Sequence, residues 1–85
     1  MKLNLFIIRQ IRRLQNKIGK KEALEKLKID RSTIHRWQTG ESKATMDSLE
    51  NVCTVIAKIL KEEYDELFMQ GLYCVMQDHQ KKDQT

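Results

Sequence analysis

The sequence predicts an all-α domain, a bundle of four to five helices. Proline is absent and glycine occurs only three times in 85 residues, while Lys, Leu, Glu and Gln, all favourable in helices, are abundant. Apolar residues recur at spacings of three and four along most of the chain. Strand-like alternation is confined to Leu3, Leu5 and Ile7 and is spoiled by Phe6 and Ile8.

A first helix is expected over residues 4–17, with Ile7, Ile8, Ile11, Leu14 and Ile18 on one face and Arg9, Arg12, Arg13 and Lys17 opposite. Gly19 ends it and can cap a short second helix, residues 20–28, that turns Ala23, Leu24 and Leu27 inward and carries Glu22 in its first turn. Ile29 anchors a tight connection. Asp30 suits the N-cap of a third helix, residues 31–39, with Ile34 and Trp37 inward and Gly40 just past its end. The loop GESKAT, residues 40–45, leads through Thr45 and Asp47 into a fourth helix, whose stripe is Met46, Leu49, Val52, Cys53, Ile56, Ile59 and Leu60. Lys61-Glu62-Glu63 marks a break, and Tyr64, Leu67, Phe68, Leu72, Val75 and Met76 form a further stripe. Residues 1–76 thus read as one domain, and residues 77–85, which lack any apolar side chain, as a flexible polar tail.

At 10.1 kDa the chain is one small domain, too short for a two-domain enzyme. Its net charge of +4 is unevenly spread. Residues 1–43 hold twelve Lys or Arg against four acidic residues, a charge of +8, and residues 44–85 hold four against eight, a charge of −4. The basic half fits an anionic partner. Cys53 and Cys74 lie on apolar stripes and read as reduced packing residues, consistent with a cytoplasmic protein. With His35 and His79 they form no CxxC or HxxxH pairing, so no metal site is expected. The longest apolar run, residues 5–8, is far short of a membrane span or a signal peptide. No glycine-rich phosphate loop or catalytic triad is legible, and no enzyme activity and no cofactor are expected.

Residues 19–40, GKKEALEKLKIDRSTIHRWQTG, place two short helices on either side of a turn too brief for them to lie antiparallel, which is a helix-turn-helix. Leu24 and Leu27 are expected to pack against Ile29 and Ile34, leaving Arg31, Ser32, His35 and Arg36 on the outer face of the second of these helices. Those side chains suit the DNA major groove, because arginine can donate two hydrogen bonds to guanine O6 and N7 while serine and histidine make shorter, less selective contacts. Trp37, three residues past Ile34, belongs to the core rather than to a base-stacking surface. Lys17, Lys20, Lys21, Lys28 and Lys43 surround the reading helix as candidate phosphate contacts. The Arg9, Arg12 and Arg13 stripe reads as a solvated helix face.

The pattern I-x-R-S-T-I-x-R-W-x-x-G from Ile29 to Gly40, followed by a Thr-capped helix and by Asp65-Glu66-Leu67-Phe68, resembles the Cro and phage-repressor family of helix-turn-helix transcription regulators. The resemblance implies a bundle of the lambda-repressor type, double-stranded DNA as partner, and base contacts at Arg31, Ser32, His35 and Arg36. It implies phosphate contacts at Lys20 and over residues 39–43, so that Lys20, Lys28, Thr39 and Lys43 are the phosphate-binding set. The family places alanine where Leu24 stands and glycine where Lys28 stands, and Lys28 is therefore expected to adopt a left-handed or adjusted turn conformation. Leu72, Tyr73, Val75 and Met76 are candidates for a homodimer interface, which would set two reading helices on successive major grooves. The functional expectation is a repressor occupying an operator in the cytoplasm, at the nucleoid when bound. The alternative is an antitoxin-like protein-interaction module with secondary DNA binding.

Overall fold

The computed structural model describes the backbone of residues 1–83 and the side chains of residues 1–79. Five helices follow one another: α1 (Lys2–Ile18), α2 (Lys20–Leu27), α3 (Arg31–Thr39), α4 (Met46–Leu60) and α5 (Tyr64–Asp83). No strand occurs among the described residues, as the composition and periodicity predict.

The central element is α1, which packs against all four other helices. Its face of Ile7, Ile11 and Leu14 is essentially without solvent contact and meets Leu27 of α2 and Leu49, Val52, Cys53 and Ile56 of α4. Burying each large aliphatic side chain contributes about 1.5–3 kcal/mol, so this contiguous cluster supplies most of the driving force for a chain this short. Trp37, 6% exposed, joins the cluster from α3 as the spacing predicts.

Helix boundaries follow local chemistry. Thr45 caps α4 by accepting the Ser48 amide on Oγ1 at 3.1 Å. Asp30 stands at the cap position of α3, but its carboxylate accepts no capping bond and the first turn closes on its backbone carbonyl instead. Gly40 ends α3 with φ +83°, and Lys28 ends α2 with φ 56° and ψ 43°, the left-handed turn expected of a residue standing where glycine is customary. The break at residues 61–63 is a second left-handed lysine, Lys61, whose neighbour Glu62 donates its amide to the Ala57 carbonyl.

Two boundaries differ from the periodicity. Rather than starting near residue 4, α1 begins at Lys2 and so buries Leu3 and Asn4. The last helix does not stop at Met76 but continues to Asp83, so residues 77–83 of the expected polar tail are helical, and residues 84–85 lie outside the described residues. Tertiary contact accounts for both. The Asp78 carboxylate accepts the first amides of α1, from Lys2 at 2.9 Å and Leu3 at 3.2 Å, and so caps one helix from the last turns of another.

Where α5 crosses α4 it does so at Gly71. A Cβ added there would lie 2.9 Å from Leu49 Cδ2 and 3.1 Å from Leu49 Cγ, and Leu49 is fully buried. Gly71→Val is expected to lower stability by about 1–3 kcal/mol through overpacking, measured as the shift in urea midpoint.

Candidate nucleic-acid interface

All four residues of the expected reading face are exposed on α3. At about 100° per residue, Arg31, His35, Ser32 and Arg36 span about 140° of the helix circumference, opposite Trp37. Among the described residues, no hydrogen bond engages the side chains of Arg31, Ser32 or His35, and Arg36 makes only a long contact from Nη2 to Thr33 Oγ1 at 3.4 Å. The sole ion pair among the described residues joins Arg13 to Glu62, so neither arginine of α3 is neutralised by an acid. The side chains are thus presented rather than consumed by the fold.

Lys20, Lys28, Thr39 and Lys43 are likewise exposed. Lys20 opens α2 and Lys28 occupies the turn that leads into α3, whereas Thr39 and Lys43 lie at and beyond the other end of α3. The Thr39 hydroxyl donates to the Arg36 carbonyl at 3.2 Å and retains its lone pairs for other partners.

The packing between α2 and α3 departs from expectation. Ala23 and Leu27 are buried, but Leu24, Ile29 and Ile34 are only half-buried. They form part of the floor of an open groove of about 1390 Å³, bounded by α1, α2 and α3. Lys20, Lys28, Arg31 and His35 line it together with Glu25 and Asp30, whereas Ser32 and Arg36 do not. The small residue at position 23 takes the inward place, Leu24 is displaced to the edge of the contact, and both helices rest on α1.

Two asparagines outside the helix-turn-helix pattern hold this region together. Asn51 of α4 donates from Nδ2 to the Leu27 carbonyl at 2.7 Å and ties the turn to the core. Asn4, 2% exposed, donates from Nδ2 to the Trp37 carbonyl at 3.2 Å and to the Ser42 carbonyl at 2.9 Å, and its Oδ1 accepts the Ala44 amide at 2.8 Å. A signal was available. Asn4 lies three, four and seven residues before Ile7, Ile8 and Ile11, on the apolar stripe itself, and a buried amide must find partners.

The other candidate groups are occupied otherwise. Arg13 also donates to Gln10 Oε1 at 2.6 Å, which makes it a structural member of the former arginine stripe. Burial pushes the Cys53 thiol up from 9.0 to about 11, and burial followed by the charge of Asp78 raises that of Cys74, so neither is poised as a thiolate. No group of three metal-ligating side chains occurs among the described residues, and none of their helices is long and apolar enough to cross a membrane.

Of the candidate interface residues on α5, Tyr73 and Met76 are 61% and 58% exposed, while Leu72 and Val75 are half-buried and Val75 packs on the core. Met69, 63% exposed, falls on the same face at helical spacing. Compared with known families, characterised proteins and solved structures, the chain matches no family model, no characterised protein and no solved structure.

Proposed function

We propose that this protein binds double-stranded DNA in a sequence-specific manner through α3, as a non-enzymatic transcription regulator that represses by occupying an operator. The observation that carries this reading is the exposed face of Arg31, Ser32, His35 and Arg36, free of acidic partners among the described residues, on a helix seated by a buried tryptophan. Base selection falls to the two arginines, each able to hold a guanine through O6 and N7, with Ser32 and His35 adding shorter contacts. Lys20, Lys28, Thr39 and Lys43 flank that face and hold phosphates, which fixes register and supplies most of the affinity. Two copies related by a twofold axis, joined through the exposed part of α5, would read two half-sites of a palindrome.

Footprinting on DNA upstream of the protein's own gene, in parallel with salt titration on unrelated duplex DNA, tests the reading. The three lysines of the phosphate set, which unlike the uncharged Thr39 displace counterions, correspond to a slope of about −2.7 per copy in log K against log salt. Lys20→Ala is expected to weaken all sequences alike and to reduce that slope by about one unit, measured by fluorescence anisotropy. Absence of any salt-dependent retention on DNA would remove the proposal.

A second reading is favoured by one observation, the exposed Met69, Tyr73 and Met76 on a single face of α5. An antitoxin-like module would use that face to cover a different protein. Co-purification of a stoichiometric partner together with loss of DNA retention would select it over repression.

A further inference from the structure

We propose that Asn4, remote from the reading face, is a positioning residue that sets the direction of Lys43 toward the DNA backbone; the inference rests on the DNA-binding reading above. Lys43 stands in the irregular loop between Gly40 and Thr45, where no helical ladder fixes it. The two peptide groups that flank its Cα are the Ser42 carbonyl, which accepts from Asn4 Nδ2 at 2.9 Å, and the Ala44 amide, which donates to Asn4 Oδ1 at 2.8 Å. One side-chain amide therefore holds both peptide planes of residue 43, and with them the direction of its Cα–Cβ bond. The third bond, from the same Nδ2 to the Trp37 carbonyl at 3.2 Å, ties that arrangement to α3 and so to the reading face.

Asn4 can act in this way because it is itself immobilised. It lies in the first turn of α1, the part of a helix most prone to fraying, and Met1 provides no side-chain cap. Asp78 supplies the cap from α5 through the Lys2 and Leu3 amides. The exposed Lys43 side chain has no ion-pair partner among the described residues, so its ammonium is available to a phosphate. Ordering a lysine only on binding costs rotamer and backbone entropy, and a pre-set backbone removes part of that cost.

The test is a double-mutant cycle on duplex DNA of unrelated sequence, read by anisotropy across a salt series, with folding followed by circular dichroism. In the wild-type background Lys43→Ala should weaken binding about tenfold near 0.1 M salt and reduce the salt slope by about one unit. In the Asn4→Ala background the same change should cost less than about twofold, because Lys43 no longer makes a defined contact. Asn51→Ala is the control. It also removes a side-chain bond to a backbone carbonyl and so destabilises the domain, but it leaves the loop clamp intact and should preserve the full Lys43 effect. A Lys43 effect of equal size in the Asn4→Ala and wild-type backgrounds overturns the proposal while leaving DNA binding standing. Absence of salt-dependent binding by the wild-type protein overturns both. Should Asn4→Ala fail to fold even in sucrose, which favours the compact state, Asn4→Thr serves in the same cycle, since it keeps nearly the same volume, adds no buried charge and cannot span both peptide groups of residue 43.

Discussion

Trp37→Ala is expected to destabilise the protein by about 3–5 kcal/mol, the range for emptying a buried aromatic site. Only 6% of the residue is exposed, and it is the one side chain of α3 in the buried core, so its removal leaves a cavity between α3 and α1. The neighbouring Ile34 is half-exposed on the groove floor and offers little to refill the space. A domain of this length holds about 4–13 kcal/mol in total, so the loss is a large fraction of it and should lower the melting temperature by about 12–40 °C. Thermal unfolding by circular dichroism measures it. A tryptophan that stacked on bases would behave oppositely, with stability unchanged and affinity for single strands reduced. A melting temperature within a few degrees of wild type would therefore show that α3 is not anchored through this side chain.

Arg31→Ala and Arg36→Ala are each expected to cost about 1–3 kcal/mol on the cognate site, about five- to 150-fold in affinity, and to relax base preference at the contacted position. The effect on stability should be small. Both side chains are exposed, neither forms an ion pair among the described residues, and Arg36 has only its long contact to Thr33. This separation of affinity from stability distinguishes a reading residue from a packing residue, and selection of bound sequences from a random duplex pool reads it directly. The two arginines also differ. Arg31 lines the groove bounded by α1, α2 and α3, as do Lys20 and Lys28, whereas Arg36 does not. Loss of Arg31 should accordingly remove some phosphate steering along with base preference, and loss of Arg36 base preference alone. Unchanged affinity and sequence preference after Arg36→Ala on an identified operator would show that α3 does not enter the groove as proposed.

What could be read from the sequence is local in origin. Five helical segments, the cap at Thr45, the left-handed position at Gly40, the burial of Trp37 and the exposure of Arg31, Ser32, His35 and Arg36 all follow from a 3.6-residue period and from the backbone demands of single turns. Each depends on neighbours no more than a few residues away, so each leaves a mark in the pattern. The displacement of Leu24 to a groove edge left no such mark. Ala23 and Leu24 are adjacent and both face inward on a helical wheel, and only the packing of α2 on α1 determines which of them is buried.

The tertiary structure alone decided how the candidate interface is held. The bonds from Asn4 to Trp37 of α3 and to the loop beyond it, and from Asp78 to the start of α1, join residues 33 to 76 positions apart. No propensity or periodicity encodes such a pairing, because a buried amide or a capping carboxylate takes whichever backbone groups the fold delivers to it. The sequence by itself determined which side chains are offered to a partner, through helical phase and charge. Where those side chains stand relative to one another was decided by α1, since a central helix that touches every other element sets their mutual positions by packing and by hydrogen bonds far apart in the chain.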